Sequence, residues 1–65
     1  MFKKLAGELV VGDIIDWAGA PADVIHADVF EEGGVAKVEV LAIGEDFTAS
    51  AVIAAGDSVY IWEDN

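Results

Sequence analysis

Two short stretches decide the fold of this chain: "VVGDII" at Val10–Ile15 and "AAGDSV" at Ala54–Val59. Each places a Gly-Asp pair between two small apolar residues and the start of a strand-like run. Gly12 and Gly56 are predicted to adopt backbone angles that a side chain would penalise. We therefore interpret both Gly-Asp pairs as bends that start a strand of a small closed sheet.

The aspartates of these pairs, Asp13 and Asp57, have two interpretations. As turn residues they accept hydrogen bonds from nearby backbone amides. As a duplicated cation site they would need several converging carboxylates, and neither segment has a spaced acidic loop. The turn interpretation is favoured, and no metal site is predicted. The absence of cysteine and the single histidine, His26, also exclude a thiolate or histidine-rich metal site.

Alternating apolar and polar residues, with turn residues between them, divide the chain into short strands without a long helical pattern. The opening "KKLAGEL" is predicted to be irregular or a single helical turn. Gly33 and Gly34 are predicted to form a hairpin turn within Glu31–Gly34. The pattern thus predicts an all-β fold, a five-stranded antiparallel SH3-like barrel that forms a single domain over residues 1–65. The predicted strands cover 14–17, 22–30, 35–43, 47–54 and 58–62.

Alternation also assigns faces to the strands. In the second strand, Ile25, Ala27 and Val29 are predicted to face the core, and Val24 to face outward, although a one-residue bulge would exchange the faces. Large apolar side chains are left on the outer face, which predicts an interface, most simply between identical chains. The residues predicted to make its contacts are Phe30, Leu41, Ile43, Tyr60 and Trp62.

The composition also predicts an interface between identical chains. A chain of 65 residues that is 55% hydrophobic, with a mean hydropathy of +0.50, has little interior for its apolar surface. A homo-oligomer is therefore expected. The net charge of −10, with three lysines and no arginine, predicts no binding to nucleic acid or anionic membranes and favours a basic host or virion protein as partner.

No catalytic pattern is present in the sequence. His26 and Asp28 share a predicted strand face, but no nucleophile motif accompanies them. The acidic pairs fall in loops or at the terminus, where charge is readily solvated. The sequence therefore predicts a protein that is not an enzyme and has no cofactor; a small enzyme or cation-binding domain is the weakest alternative. No segment approaches the roughly 20 apolar residues of a membrane span, so a soluble protein of the host cytoplasm or of a virion is expected.

The segments "AGELVVGDIIDW" (Ala6–Trp17) and "AAGDSVYIW" (Ala54–Trp62) resemble the small SH3-like β-barrel proteins encoded by actinobacterial phages. The resemblance implies a fold and a phage context, and it assigns no functional residue. The resulting prediction is a self-associating protein-interaction or particle-accessory module. The alternative is an acidic nucleic-acid mimic that occupies the basic groove of a host DNA-binding protein.

Overall fold

The computed structural model describes residues 1–62. Its strands are β1 (Phe2–Leu5), β2 (Ile14–Trp17), β3 (Ala20–Glu32), β4 (Val35–Ile43), β5 (Thr48–Ala54) and β6 (Ser58–Ile61), and a 3₁₀ turn covers Ala6–Glu8. They form one antiparallel sheet in the order β1-β6-β2-β3-β4-β5. The predicted class, an all-β, SH3-like antiparallel barrel, is confirmed.

The sheet has a sixth strand, β1, in the segment that was predicted to be irregular or a single helical turn. Phe2 of β1 lies opposite Ile61 of β6, and Leu5 lies opposite Ser58. The 3₁₀ turn follows directly. Two consecutive lysines interrupt the alternation in this strand, and its partner lies at the other end of the chain, so the local pattern does not reveal it.

A bulge in β3 changes which residues face the core. The register with β4 shifts between Val24 and His26, so Ile25 is the additional residue. Val24 lies opposite Ala42 and is 1% exposed, whereas Ile25 is 48% exposed. The predicted orientations of Val24 and Ile25 were therefore wrong, because the bulge exchanges the faces on its N-terminal side.

Beyond the bulge, the predicted faces hold. Ala27 lies opposite Val40, and Val29 lies opposite Val38, so both point to the core side of the sheet. Val29 is nevertheless exposed, because β2 pairs with β3 only at Ala20–Asp23 and no longer covers β3 at Val29.

The two long strands are joined by Gly33 and Gly34, with φ values of 60° and 79°. A two-residue hairpin with both φ angles positive is the geometry that matches the twist of antiparallel strands, and glycine adopts it without a steric penalty. The predicted turn glycines thus have the backbone angles that the prediction required.

The core is built mainly from small and β-branched side chains, so strands pack closely around it. Trp17 and Phe47 pack against its margin. The buried residues are Ala6, Leu9, Ile15, Ala22, Val24, Val38, Val40, Ala42, Ala49 and Ile61.

Candidate functional site

The two Gly-Asp segments fold into turns with the same backbone hydrogen bond. The Asp13 amide donates to the Val10 carbonyl at 3.1 Å, and the Asp57 amide donates to the Ala54 carbonyl at 3.0 Å. Each turn directly precedes a strand, β2 in the first case and β6 in the second. The φ of 102° at Gly12 is that of the third position of a type II turn, which favours glycine.

Gly56 lies in the second turn but does not have the predicted backbone angle. Its φ is not positive, and a Cβ built on it would meet nothing within 4 Å. A type I turn has a negative φ at this position and accepts most residues. The two similar sequences therefore form the same backbone hydrogen bond, but only the first turn has a positive φ that favours glycine.

A side chain of β1 forms a hydrogen bond with the first turn. The Lys4 Nζ donates to the Asp13 Oδ2 at 2.7 Å, and the Val10 amide donates to the same oxygen at 3.0 Å. The bond from Val10 is the role that the sequence predicts for Asp13. The additional bond from Lys4 joins β1 to the start of β2.

The 3₁₀ turn that follows β1 forms backbone hydrogen bonds with the second turn. The Ala6 amide donates to the Asp57 carbonyl at 2.7 Å, and the Gly7 amide donates to the Ala55 carbonyl at 3.0 Å. A Cβ on Gly7 would lie 3.0 Å from the Ala55 Cβ, so glycine permits this close approach. Both turns are therefore structural elements that close the barrel.

Asp13 also makes the stability of the fold depend on pH. Partial burial by itself raises the pKa of Asp13, but the hydrogen bonds from Lys4 and Val10, together with the charge of Lys4, lower it below the ordinary 3.8. A carboxylate whose pKa is lowered on folding stabilises the fold above its unfolded pKa, and this contribution is lost as the pH falls through the folded pKa.

We expect Asp13→Asn to lower the free energy of unfolding by about 1–2 kcal/mol at pH 7, because the charge-assisted bonds are lost. Below the folded pKa the wild-type carboxyl is neutral, so the difference between the two proteins should approach zero. Urea denaturation at several pH values between 7 and 2 measures this difference. Asp28→Asn is the control, since it removes one charge at an exposed position. A difference that does not change with pH would contradict the assignment.

His26 lies on the outer face of the sheet, where its Nε2 is 3.3 Å from the Glu39 Oε1. Both side chains are about half exposed. No group of three or more histidine, cysteine, aspartate or glutamate side chains is placed to hold a metal ion within residues 1–62. The geometry around His26 is that of a solvated side chain beside a carboxylate on the neighbouring strand.

The five residues predicted to form an interface do not lie in one apolar row. Leu41 and Ile43 share the outer face of β4. Two acidic residues that lie opposite each other, Asp28 and Glu39, separate them from Phe30. Tyr60 lies on β6, opposite Lys3 of β1. Self-association through this face stays a prediction.

Trp62 makes its polar contacts within the chain. Its indole Nε1 donates to the Asp16 Oδ1 at 3.1 Å, and its amide donates to the Ile14 carbonyl at 2.7 Å. These hydrogen bonds connect the end of β6 to β2. The sequence did not reveal this role, because the two side chains are 46 residues apart.

A groove on the outer face was also missed by sequence reasoning. Ile14, Asp23 and Ile43 lie side by side on β2, β3 and β4. The groove has a volume of about 360 Å³. Because three strands and a loop contribute to it, no local motif marks it. Its lining residues are Ile14, Pro21, Asp23, Ile43, Gly44 and Glu45.

The six-stranded antiparallel sheet defines a small SH3-like barrel, and solved structures of two translation factors share this fold. The chain is similar to eukaryotic translation initiation factor 5A from Methanococcus jannaschii, with a TM-score of 0.80 and 23% identity over 94% of this chain and 50% of that chain. It is also similar to a translation initiation factor eIF-5A family protein from Naegleria fowleri, with a TM-score of 0.78 and 16% identity over 89% of this chain and 44% of that chain. The chain thus spans about half the length of either structure. No protein-family model matches the sequence, and neither does any curated protein.

These neighbours correct the functional prediction. The predicted role as a phage accessory module was wrong, as was its alternative, the acidic nucleic-acid mimic, because the similar structures are translation initiation factors and not phage structural proteins. Within the described part of the chain, no helix has the length and apolar character that a membrane crossing requires.

Proposed function

We propose that this chain is a β-barrel module of the translation machinery. The observation that supports this proposal is the structural similarity to a translation initiation factor over 94% of the chain, with a TM-score of 0.80. The chain corresponds to half of that factor, so the proposed role is that of one module and not of the whole protein.

The module is proposed to act through protein contacts, in the cytosol and without catalysing a reaction. Contact with RNA phosphates requires available cationic side chains. Lys4 is paired with Asp13, Lys37 is paired with Glu32 at 2.8 Å, and the Lys3 Nζ lies 5.6 Å from the centre of the Tyr60 ring. These three lysines are the only lysine or arginine side chains of the sequence, against thirteen acidic residues. The charge balance therefore favours a basic protein surface as the contact.

Sedimentation through sucrose gradients tests the role in translation. A lysate of cells that express the tagged chain is separated at about 0.1 and 0.5 M salt, and the chain is detected in each fraction. We expect it to migrate with ribosomal particles at low salt and to be released at high salt, because screening weakens contacts between opposite charges. Depletion of the chain should reduce protein synthesis in the same lysate.

An unrelated acidic protein of similar size, carrying the same tag, is the control for nonspecific attraction to ribosomes. If the chain stays at the top of the gradient at low salt, also after chemical crosslinking, and its depletion leaves protein synthesis unchanged, the proposal is wrong.

A further inference from the structure

The groove on the outer face combines apolar walls with two carboxylates. Ile14 and Ile43 lie on either side of Asp23 in the sheet, and Pro21 lies two residues before Asp23 on the same face. Glu45 comes from the loop that follows β4. The groove therefore has apolar walls and negative charge within a single depression.

Gly44 contributes to the shape of this groove. The ring of Phe47 occupies the space that a Cβ on Gly44 would need, and the Gly44 amide donates to the Phe47 carbonyl at 2.8 Å. Since Phe47 packs against the core, the loop that carries Glu45 is anchored at both of these contacts. The groove is thus built on a fixed backbone, which lowers the entropic cost of binding.

The carboxylates of the groove are not neutralised by other side chains in the described part of the chain. Neither Asp23 nor Glu45 forms an ion pair among residues 1–62. The net charge of −10 adds to their field, and a depression lined by one sign of charge with apolar walls concentrates that field. A cation is therefore the ligand that this groove attracts.

From these features we propose that the groove binds the side chain of an arginine or lysine from a protein partner. The aliphatic stem of such a side chain packs on Ile14, Pro21 and Ile43, while its cationic end meets Asp23 and Glu45. The volume of about 360 Å³ is at the lower end of the range for ligand pockets, which suits one or two side chains.

A bare metal ion fits the groove less well. Calcium takes six to eight oxygen ligands, and only two carboxylates line this groove. The apolar walls would also contribute nothing to an inorganic ion. The chemistry of the lining therefore selects a cation that carries an apolar stem.

This proposal stands on the groove and its charges, and it does not depend on the role in translation. The test uses N-acetyl-arginine methylamide as the probe and its citrulline analogue, which is neutral and nearly the same shape, as the matched ligand. Titration is followed by the backbone amide signals in NMR. We expect the arginine probe to shift the signals of Ile14, Asp23, Ile43, Gly44 and Glu45, and the citrulline analogue to shift them much less.

A pair of double variants separates the groove from the general negative charge. Asp23→Asn with Glu45→Gln should weaken binding of the arginine probe about tenfold, because charge-assisted contacts are lost. Asp28→Asn with Glu31→Gln removes the same charge at exposed positions outside the groove and should change the dissociation constant by less than about twofold.

Equal weakening in both double variants would overturn the proposal, because it would reduce binding to nonspecific attraction. It would also be overturned if the shifts spread over all acidic loops, or if the citrulline analogue bound as well as the arginine probe. Competition by calcium at equal concentration would overturn it in favour of a metal site.

Discussion

Val24→Asp is expected to abolish folding, whereas Ile25→Asp at the next position is expected to leave a folded protein. Val24 is buried in the core opposite Ala42, so the new carboxylate would be desolvated without a partner. The cost should exceed about 4 kcal/mol, which is comparable with the total stability expected of so small a domain. Ile25 is exposed at the bulge, where a carboxylate remains hydrated. Far-ultraviolet circular dichroism and urea denaturation distinguish the two results.

The two variants are matched controls for each other. Each exchanges a β-branched residue for aspartate and adds one negative charge at nearly the same place, so the change in overall repulsion is the same. A folded Val24→Asp protein together with an unfolded Ile25→Asp protein would mean that β3 has uninterrupted alternation without a bulge.

Alternation alone predicted β4 correctly and failed at one point of β3. In β4, Val38, Val40 and Ala42 face the core as the period of two requires. In β3 the bulge at Ile25 exchanges the faces, and the sequence marks it only by the adjacent apolar residues Val24 and Ile25, where the apolar positions change from even to odd numbers. An uninterrupted period of two was applied across this change of phase, so the residues before the bulge were assigned to the wrong face.

Contacts between distant parts of the chain were beyond the reach of sequence reasoning. The pairing of β1 with β6, the bond between Trp62 and Asp16, and the groove around Asp23 each join segments far apart in sequence. The Gly-Asp pairs, in contrast, were found because a turn is a local structure. The phage context in the functional prediction relied on a resemblance of short segments, and similar folds carry many functions, so that resemblance did not determine the role.

The junction between β6 and β2 should be the point at which the barrel is most sensitive to loss of volume, because a single residue pair joins these two strands. Ile15 and Ile61 are the residue pair that joins these strands, and the bond from the Trp62 amide to the Ile14 carbonyl lies beside it. Ile61 also lies opposite Phe2 of β1, so three strands meet at this side chain.

We expect Ile61→Ala to lower the free energy of unfolding by about 3 kcal/mol, because it leaves a cavity where the strands join. Val11→Ala removes a side chain that is 66% exposed and should cost less than about 0.5 kcal/mol. Urea denaturation measures both changes, and hydrogen exchange shows where the structure opens. Faster exchange in β1 and β6 than in β4 would identify the junction between β6 and β2 as the weakest part, since β6 is the only strand with which β1 pairs. If Ile61→Ala costs no more than Val11→Ala, or if exchange rises equally in all strands, the barrel does not depend on this pair to hold β6 and β2 together.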